Sequence, residues 1–218
     1  MLEFVNKFYA SRYLFIIIMV IVSFAVVDTT KKKHNINIKD KLNYKKIDLT
    51  FLLRITALSF AFRVLLEQTI YLLPIKETVS NIPLNFLTIL VEIIATCLFA
   101  PICEEIICRF GIYEYLNKRI KFSLIAMILA SFIFSIIHFY EIDGLIIIFF
   151  ISLIWNYAYF KTNNLIYPIV LHFLNNIYAM VGYMELSDTV YILFGIVSLI
   201  IYIILKIKSS SKNTTTTG

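Results

Sequence analysis

Phe99-Ala100-Pro101-Ile102-Cys103-Glu104-Glu105-Ile106-Ile107-Cys108-Arg109-Phe110 is the stretch on which the fold turns, because it sets two acids and an arginine inside an otherwise apolar run. Ionisable groups at such a place cost several kilocalories per mole in a bilayer unless a partner or a function holds them. Around this stretch the whole chain is oily. Hydrophobic residues make up 60% of its 218 positions and charged ones 16%, against about 45–50% and 25% in soluble domains. The apolar residues come in long blocks without period-2 alternation, which favours helices across a bilayer over a β-barrel. The expected fold class is therefore all-α, a multi-pass transmembrane helix bundle of about 6–8 spans with an intramembrane polar cleft.

Outward from the quoted stretch, a first apolar block runs Tyr13 to Val27, after Lys7 and Arg12. It lacks an A-x-A-like cleavage site and leads into further spans, so it reads as an uncleaved membrane helix. Asp28 to Asp48 holds seven lysines against three aspartates and is expected as a cytoplasmic loop. Further apolar segments are expected at Leu49–Leu73, Pro83–Ala100, Ile102–Leu116, Phe122–Tyr140, Gly144–Phe160, Leu165–Tyr183 and Thr189–Ile207. The organisation expected is an N-terminal span and loop over 1–48, a helix bundle over 49–208 and a polar, disordered tail over 209–218.

The net charge of +6 does not signal nucleic acid, since the lysines gather at segment ends and in one loop and no groove-reading motif is present. Lys118, Arg119 and Lys121, then Lys161, then Lys206 and Lys208 mark alternate connections as cytoplasmic, whereas Glu141, Asp143, Glu185 and Asp188 mark the others as outside. The C-terminus is then inside. For the N-terminus, Lys7 and Arg12 pull inward while span counting from the lysine-rich loop pushes outward. Cys97, Cys103 and Cys108 form no C-x-x-C pair and read as small core residues. Arg54, Arg63 and Glu67 read as snorkelling surface residues, and Glu92 as a buried acid paired with an arginine of a neighbouring helix.

Glu105 and Arg109 stand i, i+4 with the acid first, the favourable order for an ion pair. Glu104 points about 100° away around the same helix and is the acid left for other work. Two of the three histidines also sit in apolar segments, His138 in Phe134-Ser135-Ile136-Ile137-His138 and His172 in His172-Phe173-Leu174-Asn175-Asn176, where His172 and Asn176 share a helix face. Measured from the turn at Arg119, Glu104 lies roughly 22 Å away along one helix and His138 roughly 28 Å along the next. His172 and Asn176 lie about 16 and 22 Å beyond Lys161. Four polar side chains thus reach similar depths. A carboxylate in a water-poor cavity can take a proton from water; His138 can share in activating that water, and His172 and Asn176 can donate to an oxyanion. The same Glu104, His138 and His172 can alternatively ligate zinc, although no His-Glu-x-x-His signature is present.

These motifs resemble those of the CAAX protease and bacteriocin-processing (Abi) family of intramembrane endopeptidases, related to the Ras-converting CAAX endopeptidases. That family is marked by E-E-x-x-x-R, F-x-x-x-H and H-x-x-x-N/D in order, present here at Glu104 to Arg109, Phe134 to His138 and His172 to Asn176. The run Tyr159 to Pro168 resembles the family's lead-in to the third motif. The resemblance covers about Phe99 to Tyr178. It implies catalytic Glu104, His138, His172 and Asn176, with Glu105, Arg109 and Phe134 in support. It also implies a glutamate-type mechanism without a required metal, divalent zinc being the alternative cofactor. The substrate implied is a membrane-associated peptide or protein, in CAAX-type, peptide-pheromone or bacteriocin processing or immunity, in a bacterial plasma membrane. A non-catalytic immunity or scaffold protein and a proton-relay transporter are the competing classes. Two departures stand out: Phe110 follows the motif arginine where Gly is usual, with Gly111 next, and Trp155-Asn156 replaces small residues.

Overall fold

The structure is a computed structural model that describes residues 2–71, 86–138, 142–182 and 188–214. Among these residues every regular element is helical. Tyr13–His34, Leu49–Ile70, Gly144–Thr162 and Ile192–Ser209 are long and apolar enough to cross a membrane, and Ser123–Ile136 is a shorter apolar helix. Large apolar side chains such as Ile17, Ile21, Phe24, Leu65, Phe132 and Ile204 are exposed, as a lipid-facing surface requires. The chain is an all-α integral membrane protein.

Helix α1, Leu2–His34, carries Lys31, Lys32, Lys33 and His34 in its last turn, where cations complement the helix dipole. The lysine-rich region is therefore partly helix. Its remainder holds α2, Ile38–Lys41, and a 3-10 turn, Tyr44–Lys46, each opened by an asparagine cap. Helix α3, Leu49–Tyr71, follows.

The two spans expected on either side of Pro101 are one continuous helical run over 86–120. It is built from α4 (Phe86–Glu92), a π segment (Ile93–Phe99), α5 (Ala100–Glu105), a second π segment (Ile106–Tyr113) and α6 (Glu114–Ile120). Proline usually ends a helix because it lacks an N–H and crowds the preceding turn. Here the π register takes up the lesion. Helices α7 (Ser123–Ile136), α8 (Ile142–Thr162), α9 (Ile166–Gly182) and α10 (Asp188–Thr214) complete the bundle. The last continues through Ser209 and into the residues expected as a disordered tail, because extending an established helix costs far less than starting one. Leu72, Leu73, Pro83, Phe139, Tyr140, Glu141, Tyr183 and Glu185 lie outside the described residues, as does the tail beyond Thr214.

One end of the bundle is knitted together by the basic connections. Lys41 pairs with Glu114 and with the Asn163 side chain, and Tyr159 donates to the same Glu114 oxygen at 2.7 Å. Leu165 N–H reaches the Lys41 carbonyl at 2.7 Å, and Lys118 donates to the His34 carbonyl at 2.8 Å. Asn35, Lys121 and Asn163, which follow α1, α6 and α8 at this end, are left-handed, the conformation that commonly closes a helix. Helix α1 runs parallel to the long helix: Ser23 donates to the Cys103 carbonyl (3.3 Å), Val26 meets Gly111, and Lys118 reaches the end of α1. Helix α1 therefore starts from the end opposite the basic connections, as span counting requires. A Cβ on Gly111 would stand 2.7 Å from Val26 Cγ1, so the glycine displaced by one position from the family pattern is the seat for α1. The N-terminal region thus packs onto the bundle through Ser23, Val26 and Lys41.

Candidate active site

The long helix delivers Glu104 and Glu105 between its two π segments, and helical spacing sends them to different partners. Glu105 is fully buried and held by Arg109 and His172. Its Oε2 lies 2.9 Å from Arg109 Nε, its Oε1 accepts from Arg109 Nη1 at 3.0 Å, and His172 Nδ1 donates to Oε1 at 2.9 Å. Arg109 is also fully buried; it donates to Ser152 Oγ (2.8 Å) and lies over the rings of Phe134 and Trp155. Ser152 is a partner that the sequence did not single out, since a lone serine in an apolar helix ordinarily bonds back to its own backbone.

Glu104 has the opposite character. Its side chain keeps 12% of its surface accessible, and one oxygen, Oε2, stands 3.3 Å from His138 Nε2 and 3.7 Å from His172 Nε2. Both imidazoles are fixed from their far sides. His138 Nδ1 is 2.7 Å from the Phe134 carbonyl, which can only accept, and His172 Nδ1 faces the Arg109-paired carboxylate of Glu105. Each Nδ1 must therefore carry the proton. A neutral ring then turns its Nε2 lone pair toward Glu104, so lone pairs meet unless a hydrogen stands between them. A proton held between Glu104 and His138, or a water donating across the gap, satisfies the geometry.

Aromatic walls hold the rings in place. Trp155 stacks on His172 at 4.6 Å with a 28° interplanar angle, and Phe134 contacts His138 at 4.5 Å and His172 at 5.7 Å. Trp155 Nε1 donates to Ser59 Oγ at 3.3 Å, and Asn156 donates to Ser131 Oγ at 2.7 Å. The Trp155-Asn156 departure thus supplies one wall of the site and a tie between α8 and α7.

Asn176 is one turn beyond His172, but its contacts differ from those expected. Its Nδ2 donates to the Thr96 carbonyl at 2.7 Å, and its Oδ1 accepts from Asn175 at 3.3 Å. The reason lies in the π segment, where Ala100 N–H bonds the Ala95 carbonyl, five residues back. In that register residue 101 would bond Thr96, and Pro101 has no N–H to give. Asn176 supplies the missing donor from the neighbouring helix. Arg63 and Glu67 also differ from expectation. They pair at 2.7 Å, Arg63 reaches Asn175, and Tyr178 donates to Glu67 at 2.9 Å, so they tie α3 to α9 and do not snorkel. Glu92 is buried at the entry to the first π segment. Cys97, Cys103 and Cys108 are free and buried, as core residues. Among the described residues no set of three or more His, Cys, Asp and Glu side chains is arranged to hold a metal ion.

The family model described as type II CAAX prenyl endopeptidase Rce1-like matches residues 86–178. That segment is similar to the Rce1-like family. That family is one of proteases, and the matched segment contains all three motifs, from the long helix through most of α9. No curated protein and no solved structure matches the chain.

Proposed function

We propose that this protein is an intramembrane endopeptidase in which Glu104 activates water for attack on a peptide bond. The observation that carries the reading is the convergence of two Nδ1-locked imidazoles on one oxygen of Glu104, beside a Glu105 already engaged by Arg109 and His172. A water lodged between Glu104 and the imidazoles loses a proton to the Glu104–His138 pair as it attacks the carbonyl carbon. The pair then returns the proton to the leaving amine. His172 flanks the attacking water and is held in register by Glu105 and Trp155. The second amide hydrogen of Asn176 is the candidate donor to the developing oxyanion. The substrate is a membrane-associated peptide or protein. The basic end, by the positive-inside rule, is cytoplasmic and carries the C-terminus.

The proposal is metal-independent. Protein purified in detergent and stripped with a chelator is predicted to go on cleaving a membrane peptide, with the products mapped by mass spectrometry. Activity lost on stripping and restored by zinc would move the chemistry to a metal.

A further inference from the structure

The basic end of the bundle holds a cavity of its own, apart from Glu104. We infer that this cavity, between α3, α8 and α10, seats the headgroup of an anionic phospholipid, with the phosphate on Arg54 and Lys206 and the acyl chains left in the bilayer.

The cavity forms where α3 and α10 part. Further along, the two helices touch: a Cβ on Gly195 would stand 2.7 Å from Val64 Cγ1, and the rings of Phe60 and Phe194 meet at 5.3 Å. Arg54 precedes Val64 by ten residues and Lys206 follows Gly195 by eleven. In an antiparallel pair that carries both cations roughly 15–17 Å from the contact, to one height. Both line a cavity of about 270 Å³, which Tyr157 closes from α8. Its place at the basic end is fixed from two sides. The Asp48 N–H, at the start of α3, donates to Tyr167 at 2.6 Å, and Tyr157 stands one turn before Lys161, whose Nζ lies 5.8 Å from the Tyr157 ring.

Each class of lining group has a counterpart in the ligand. Arg54 presents a planar fork of donors, the shape that binds phosphate through two parallel hydrogen bonds. Its guanidinium lies over the Phe51 ring at 5.3 Å, and among the described residues it enters no ion pair. Asp48, the acid nearest to it in sequence, is taken up in capping the Phe51 N–H at 3.0 Å. Lys206 brings a second positive charge from α10, and Tyr157 and Tyr202 bring hydroxyl donors. Ile55 and Leu58 supply an apolar wall. A free phosphate ion would leave that wall against water, and a wholly apolar ligand would gain nothing from the two cations. An amphiphilic anion uses both.

Size and surroundings select a lipid among such anions. The cavity is smaller than the roughly 300–1,000 Å³ of pockets that enclose a whole drug-sized ligand, so it takes a headgroup and leaves the chains outside. Leu53 and Ile203, each next to a lining residue on its helix, are exposed, as chain contact requires. Basic pockets between membrane helices at the cytoplasmic side are where anionic headgroups bind, and the basic end is the cytoplasmic one by the positive-inside rule.

The test offers the full-length protein, in mild detergent, dioleoylphosphatidylglycerol or dioleoylphosphatidylcholine at equal concentration and counts bound lipid by native mass spectrometry. Two cations at about a factor of five each predict an about 30-fold preference for phosphatidylglycerol. Arg54→Gln with Lys206→Gln is expected to make the two lipids bind alike. The charge-matched pair Lys31→Gln with Lys33→Gln, at exposed positions ending α1, is expected to keep the preference. Equal binding of both lipids by wild-type protein overturns the inference, as does a preference that survives loss of Arg54 and Lys206. A preference lost equally in both double variants also overturns it, by assigning the effect to the diffuse field of the basic end. Displacement of phosphatidylglycerol by an equal concentration of inorganic phosphate does so too, by making the cavity a site for the free ion. Should the Arg54, Lys206 variant fail to fold, Leu58→Trp, which fills the cavity and keeps both cations, is expected to lose the preference, and its retention there overturns the inference.

Discussion

Replacing Asn176 by alanine in two backgrounds separates its structural from its chemical work. In the native chain the substitution removes the 2.7 Å bond to the Thr96 carbonyl and leaves that partly buried acceptor without the donor Pro101 cannot supply. An unpaired polar group of this kind costs about 1–3 kcal/mol. Pro101→Ala returns an N–H at the position that the π register aims at Thr96. It also removes a helix-interior proline, whose cost relative to alanine reaches about 3 kcal/mol where the helix has not adapted. In the Pro101→Ala background the loss from Asn176→Ala should shrink, giving a coupling energy of about 1–2 kcal/mol. Unfolding titrations in mixed micelles measure all four proteins. Additive effects, with a coupling below about 0.5 kcal/mol, would refute the link between Pro101 and Asn176. Peptidase activity of the double variant gives the second reading. Recovery with stability makes Asn176 a positioning residue, and continued loss with recovered stability assigns its amide to the reacting carbonyl.

Arg109→Met strips the buried Glu105 carboxylate of both guanidinium contacts and is expected to cost about 3–5 kcal/mol in the same titration, with Arg109→Lys failing to restore the paired geometry. Gly195→Ala should destabilise the α3–α10 contact by about 1–3 kcal/mol, because its Cβ would lie 2.7 and 2.9 Å from Val64 Cγ1 and Cβ. Adding Val64→Ala should return most of that loss, and equal stability of Gly195→Ala and wild type would contradict the close approach. Trp155→Leu removes the ring stacked on His172 and should lower kcat more than it raises KM, as loss of ring orientation does when binding is untouched; a change in KM alone would argue against that role.

That the two glutamates face different partners was legible in the sequence, because i, i+4 spacing pairs Glu105 with Arg109 and rotates Glu104 away. That Glu104, His138 and His172 lie deep in their helices at comparable heights was legible too, since helical rise converts residue counts into heights. Pro101 misled the segment count: the rule that proline ends a helix holds for the α register, whereas here a π segment and a donor from α9 absorb it. The bond from Asn176 to the Thr96 carbonyl went unread for the same reason, since only the π register leaves that carbonyl open. Ser152, Ser59 and the Arg63–Glu67–Tyr178 network went unread because each depends on which helices are neighbours, and one chain's pattern of polar residues does not specify that. A basic end was visible in the spacing of the lysines.

The central claim is that Glu104, and not its neighbour, is the base. The direct measurement is kcat for Glu104→Gln in purified protein, with folding checked by its unfolding midpoint in micelles. The Gln variant keeps shape and hydrogen-bonding reach but cannot accept the proton, and general-base catalysis contributes about 10²–10⁴-fold. A folded Glu104→Gln protein with hydrolysis reduced at least that far is the predicted result, and a folded variant that cleaves at the wild-type rate would contradict the account.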